Sequence, residues 1–491
     1  LGGRMTSLRV TLESPELTLT PAERNLRSDL LARFPEYDDL LQRGLQIQES
    51  LRQQWQPAVA DEKQKALANL WHDWAENVFE REHFLGRLGL SRVACDFRFP
   101  PVTSTTDLQK QLVPGQAVVV FHDTSDGLFG FLVTDRASTV WNCGPSGEIA
   151  RELSQFLRDL GNHDRNSALD EKQLASKAWL ESGQILFESL FAGSAIDPVS
   201  MDELVVVPDG LVWYVPLAAL PIKLEDGVVP LTSLSRVRVV PTMGLAFGRT
   251  VPWRRVQHTS LVGQEIVPGE KAADRTALLE PLAATLANRI ELPEPLPVAT
   301  PVVASLLETL VVLDEFEIER DEPLTWSPIP GRREGAEGEL ATWLSLPLSG
   351  PQRLVFAGAH TVVENGGKAS RRKSNQAPPG SELFLTSCGL MSTGAQTVLL
   401  SRWRVGGQST LELMREFVQE LPRTSASDAW QRCIEVAKQL PLEPSLEPRI
   451  KTSGQGELPT AEHPFFWSGY LLLDTGEPVD NKENKGSGVF D

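Results

Sequence analysis

No apolar run in this sequence reaches the roughly 18 residues that cross a bilayer, and no signal-peptide pattern opens it. A cytoplasmic protein without membrane contact is the expectation, with Leu1 to Met5 read as an artificial remnant or an internal start. Cysteine is scarce. Cys95, Cys143, Cys388 and Cys433 are scattered and form no C-x-x-C pair, which points away from zinc and from a disulfide framework. Positive charge is in deficit. The 47 Lys and Arg face 65 Asp and Glu, a net charge of −18, so a broad phosphate-neutralising face and direct nucleic-acid binding are excluded. Short-period repeats are absent too. What is present is an ordinary globular composition, 41% apolar and 23% charged, over 491 residues. That length exceeds one compact core and predicts two or three domains.

The first 20 residues or so read as extended, with Val10, Leu12, Leu17 and Leu19 loosely alternating. From Thr20 to Leu90 the period turns helical. Thr20-Pro21 reads as a helix start, and Leu40, Leu41, Leu45, Ile47 and Leu51 recur at helical spacing, as do Leu67, Leu70, Trp71, Trp74 and Val78. Such a region reads as a brace or as a partner-docking module. His72 and His83 within it read as solvated or packed rather than as ligands.

Strand patterns follow. Gln116–Phe121 and Gly127–Thr134 flank a polar turn containing His122 and Asp123, and Ser138–Asn142 follows. After a helix over 175–191 comes a buried strand from Leu204 to Val207, closed by Pro208-Asp209-Gly210. Arg236–Val240 and Ser260–Gly263 read as strands, Ala299–Val312 as a helix, and the acidic, proline-containing 315–338 as an inserted surface loop. Further strands are read at Arg353–His360, Leu383–Cys388 and Thr397–Trp403, helices over 409–421 and 426–440, and a final strand over 463–474.

Two of these strands end on chemistry. One runs out at His360 and the next at Cys388-Gly389. Neighbouring parallel strands would bring imidazole and thiol to one carboxyl edge of a sheet, where α/β sheets bind ligands. Those are the parts of a nucleophile and base pair. The competing reading is an inert core cysteine and a structural histidine. Cys95, Cys143 and Cys433 read as structural, and His463, before a proline, as packing or capping.

The order of motifs resembles the CHAT domain, a caspase-like cysteine peptidase module related to separase. The resemblance rests on Gly127–Thr134 with the helix to Leu160, Val205–Leu211 followed by Tyr214–Pro221, Leu354–His360, Phe384–Cys388, Gly394–Trp403 and His463–Trp467. It implies an α/β fold, a caspase-like mostly parallel sheet flanked by helices, with a non-catalytic pseudo-caspase half and an active half. The implied units are 1–110 helical, 111–250 pseudo-caspase, 251–476 catalytic and 477–491 a disordered tail. The implied function is a cysteine endopeptidase cleaving a protein substrate through Cys388 and His360, without cofactor or metal, released by a protein partner or signal. The oxyanion would be held by backbone N–H groups of Cys388 and of Thr361 or Gly358. Gly389, Arg402, Trp403 and Arg404 would line the substrate, the arginines disfavouring cleavage after Arg or Lys. Three features depart from the family: Thr361 replaces a glycine, the segment from Cys388 to Gly394 is short, and Gly406-Gly407 replaces an acidic pair. The first two support the alternative, an inactive CHAT-like scaffold that docks protein partners through its helical N-terminal part. Glu364 is a candidate to orient His360, and the basic loop 361–381 reads as a linker or as a gating, self-cleaved segment.

Overall fold

The computed structural model describes residues 2–13, 21–54, 61–91, 103–162, 168–247, 258–292, 296, 298–329, 338–345, 350–363, 377–451 and 460–476. Helices α1 (Gly2–Glu13), α2 (Pro21–Arg33), α3 (Pro35–Gln54), α4 (Asp61–Leu90) and α5 (Thr105–Gln111) come first. Pro21 sits where its missing N–H costs nothing. Residues 2–13 are helical rather than extended because Met5, Leu8 and Leu12 share a helical face. They are buried with Leu30, Tyr37, Phe84 and Leu85 in a small core of their own. Trp71, Trp74 and Val78 belong to the main core instead. The Trp74 indole donates to the Val302 carbonyl at 3.2 Å, anchoring this region to the rest of the chain.

The remainder is α/β. Its first part runs β1 (Gln116–Thr124), β2 (Gly127–Thr134), β3 (Ser138–Gly144), α6 (Ser146–Asp159), β4 (Leu169–Asp170), α7 (Glu171–Leu174), α8 (Ala178–Phe191) and β5 (Glu203–Val207). Next come β6 (Pro221–Leu224), β7 (Gly227–Pro230), β8 (Arg236–Val239), β9 (His258–Val262), α9 (Ala272–Thr285), α10 (Thr300–Ala304), β10 (Leu307–Val312), β11 (Phe316–Glu317) and α11 (Leu340–Ser345). The last part is β12 (Arg353–Phe356), β13 (Ala359–His360), α12 (Ser381–Ser392), β14 (Thr397–Ser401), α13 (Gln408–Glu420), α14 (Ala426–Ala437), β15 (Ile450–Lys451) and β16 (Tyr470–Asp474).

Ten strands form one large, mostly parallel sheet in the order β3-β2-β1-β5-β8-β16-β14-β12-β10-β9, flanked by helices. Only β1–β2, β2–β3 and β14–β16 run antiparallel. Strands β5, β14 and β16 are buried at every position, as strands covered on both faces must be. The earlier and later strands join where β8 meets β16, Val239 opposite Leu473. A buried ion pair seals that seam: Arg238 lies 3.2 Å from Glu203 and donates to the Asp474 carbonyl at 2.9 Å.

Three sequence expectations are corrected. Leu383–Cys388 is not a strand but part of α12. The apolar run continues to Met391, and Leu383, Thr386, Ser387, Leu390 and Met391 are buried at helical spacing. Within 299–312 only a single turn is helical, and β-branched Thr309, Val311 and Val312 make the rest strand β10. The stretch after Glu315 is no surface insertion. β11 pairs with β13, Trp326 stacks on Phe316 at 4.6 Å, and Ile318 and Ile329 are buried. Cys95, Glu364, most of the basic loop and the tail after Gly476 lie outside the described residues.

Candidate active site

β12 delivers the chain to the carboxyl edge of the sheet. At Gly358 the backbone passes so close to the Asp314 carbonyl that a Cβ would sit 2.2 Å from its oxygen, so only glycine fits. β13 then turns aside to pair with β11, and the His360 carbonyl accepts from Ile318 N–H at 2.8 Å. His360 is thereby buried at the edge the sequence assigned to it. Its Nε2 lies 3.3 Å from Nη2 of Arg404, whose Nε is 3.3 Å from Glu315. A guanidinium only donates, so this contact makes Nε2 the acceptor and leaves the ring proton on Nδ1. Glu315, Arg404 and His360 thus form a line of charge and hydrogen bonding that sequence reasoning missed. The acidic run was read as a loop, and nothing local in it signals the pairing of β11 with β13.

Cys388 is not at that edge as the end of a strand. It is the eighth residue of the twelve-residue α12. Its N–H therefore belongs to the helical ladder and is not free for an oxyanion. The thiol is half-buried, makes no hydrogen bond among the described residues, and burial pushes it up to about 11. The neighbouring Gly389 faces Leu324, Leu340 and Leu344 rather than an open cleft.

Thr361 is also committed elsewhere. Its N–H donates to the Arg402 carbonyl at 2.9 Å and its hydroxyl donates to the same oxygen at 3.0 Å. Arg402, expected to face substrate, is buried. Nε donates to the Trp213 carbonyl (3.0 Å), Nη1 to that of Tyr470 (2.8 Å) and Nη2 to that of Val215 (3.1 Å). With no carboxylate among these partners, burial lowers it to about 9. Trp403 is fully buried against Gly469. Arg404 alone of the three stays partly exposed, and it serves His360.

Residues 348–475 match the CHAT domain. The matched stretch holds His360, Cys388 and the clamp at Arg402, and covers about a quarter of the chain. No curated protein matches the sequence. Among solved structures, two crystal structures of the Saccharomyces cerevisiae separase–securin complex are similar. One aligns at 8% identity and TM-score 0.42 over 86% of this chain and 34% of that one, the other at 9% and 0.37 over 96% and 42%. The chain thus spans well under half the length of the chains it matches, and at these TM-scores the likeness carries no argument.

A buried cluster ties the start of α12 to the segments that carry Tyr214 and Arg320. Tyr214 donates to Glu382, and its hydroxyl oxygen accepts from Gly380 N–H at 2.8 Å and from Arg320 at 3.1 Å. Burial raises both Glu382 and Tyr214. His463 caps the turn before β16, its Nδ1 accepting from Phe465 N–H at 3.2 Å. Burial holds that imidazole down at about 4. His122 is exposed and lies 3.2 Å from Asp209, while Asp123 accepts from Ser146. Cys143 and Cys433 are buried core thiols. Among the described residues no group of His, Cys, Asp and Glu could hold a metal, and no helix is long and apolar enough to cross a membrane.

Proposed function

We propose that the chain is a CHAT-like module that has given up hydrolysis and docks protein partners. The observation that carries this reading is the place of Cys388 inside α12. A thiol at about 11 is thiolate in only ~1 molecule in 10⁴ at neutral pH, and its own N–H is tied into the helix. Thr361 N–H, one of the two candidates for the other oxyanion donor beside Gly358, is spent on Arg402. Each donor withdrawn in this way would cost a tetrahedral intermediate roughly 3–4 kcal/mol.

The peptidase reading keeps the support of the CHAT match, which spans both His360 and Cys388. In it Cys388 attacks, His360 protonates the leaving amine, and Gly358, Thr361 and Cys388 hold the oxyanion. It requires α12 to open at Cys388 and Thr361 to leave Arg402. One experiment decides between them. A random peptide pool is incubated with the full chain and with Cys388→Ala, and products are read by mass spectrometry. The scaffold reading expects no difference between the two. Cleavage present in wild type and absent from Cys388→Ala overturns it.

A further inference from the structure

The ten-stranded sheet has two edges, and the chain treats them differently. At β9 the segment 288–290 lies alongside the strand: Ile290 N–H donates to the Thr259 carbonyl at 2.8 Å, Thr259 N–H to that of Asn288 at 3.3 Å, and Ser260 hydroxyl to that of Ile290 at 3.1 Å. That edge is covered. At β3 no strand among the described residues pairs with the outer side. Natural edge strands are normally blunted by charge, proline or shortness. β3 has seven residues, Ser138-Thr-Val-Trp-Asn-Cys-Gly144, with neither charge nor proline among them.

One face of β3 is spoken for. Trp141 lies over Gly130 and its indole donates to the Leu190 carbonyl at 2.8 Å. On the other face Val140 is 62% exposed. It stands beside half-buried Phe131, its register partner on β2, and both are apolar. We infer that β3 is a self-association edge, pairing antiparallel with β3 of a second copy about a two-fold axis at Val140.

The sequence of β3 suits its own reversed copy. Centred on Val140, the pairing sets Val140 against Val140, Thr139 against Trp141 and Ser138 against Asn142. Apolar thus meets apolar, an aromatic meets a β-branched residue, and polar meets polar, the combinations that stabilise adjacent strands. Such an interface is isologous and closes as a dimer. The nearest charges, Asp135 and Arg136, would face Pro145 and Gly144, so no like charges oppose one another. Elsewhere two copies at −18 each repel, which makes the uncharged edge the place where they can meet. Added salt therefore strengthens the pairing.

The test uses the full chain in sedimentation equilibrium over a range of concentration at low and moderate salt. We expect a mass twice the 54.1 kDa of the chain, more of it in moderate salt. Val140→Lys, at an exposed site, keeps the fold by circular dichroism and loses the dimer. Val140→Cys, oxidised with copper phenanthroline and dioxygen, yields a 140–140 disulfide identified by peptide mass. A monomer throughout, a dimer untouched by Val140→Lys, or a Val140→Cys protein that gives no 140–140 peptide overturns the proposal. It does not depend on whether the chain hydrolyses peptides. Cleavage in the pool experiment with a dimer here sinks only the scaffold reading, and no cleavage with a monomer sinks only this one.

Discussion

The carbonyl oxygen of Arg402 receives two hydrogen bonds from Thr361, one from its N–H at 2.9 Å and one from its hydroxyl at 3.0 Å. The residue after the histidine is thus tied to the strand that ends at Ser401. Glycine here removes the bond the hydroxyl donates to Arg402 and the one it accepts from Val363 N–H at 3.3 Å, and leaves the backbone bond in place. Thr361→Gly is expected to lose roughly 1–2 kcal/mol of stability in urea unfolding and to gain no peptide cleavage.

The Arg402 side chain bridges three carbonyls, two before the seam and one on β16. Arg402→Met takes this donor from all three buried carbonyls, of which that of Val215 keeps the Leu217 N–H at 2.9 Å. We expect a loss of about 3 kcal/mol or more, with Arg402→Lys recovering only part of it because an ammonium lacks the planar fork. Denaturant midpoints of the two variants check the order.

Glu447 caps α13 from a distant loop, accepting from Ser409 N–H at 2.6 Å and from its hydroxyl at 2.9 Å. Burial nevertheless raises it from 4.5 to about 7. The folded state then holds the proton more tightly than the unfolded one. Its contribution to stability is complete below about 4.5 and is lost as pH rises to about 7, a span worth on the order of 3 kcal/mol. Glu447→Gln keeps the acceptor and is expected to remove that slope from the pH dependence of the urea midpoint.

His463 works in the opposite sense. Burial depresses it from 6.5 to about 4, so its contribution is complete above 6.5 and is lost as pH falls towards 4. Protonation would also remove the Nδ1 acceptor that Phe465 N–H uses. His463→Asn keeps a capping acceptor. Against wild type it is expected to be relatively more stable at pH 4.5 than at pH 7, read as the difference in midpoints.

Trp326 links the acidic stretch to the site through its stack on Phe316 and its edge-on contact with Phe356 at 5.2 Å. Trp326→Ala is expected to cost about 3 kcal/mol in thermal or urea unfolding.

Much of this fold was written locally. The apolar runs of β1 and β2 on either side of a polar turn, the solid apolar strand β5 and the helical spacing in α13 and α14 each carry their own signature. The errors arose where a local signature is ambiguous. Leu383–Cys388 is apolar, short and followed by glycine, which suits a buried strand and a buried helix equally. Thr309, Val311 and Val312 were absorbed into a helix that ends at Ala304. At the site, His360 was legible because it follows a strand. Its partners were not, because Arg404 and Glu315 meet it only through tertiary pairing. Arg402 reads as a substrate-lining residue since nothing in a sequence announces three waiting carbonyls.

The seam at β8 and β16 also sets a clock. β16 lies in the middle of the sheet, between β8 and β14, yet it is made more than two hundred residues after β8. At roughly 5–20 residues per second, the inner edge of β8 stands open for about 10–50 s during synthesis. Once β14 (Thr397–Ser401) is made, the nascent chain carries two half-sheets with bare central edges until β16 follows. β16 is the strand that turns them into a single molecule.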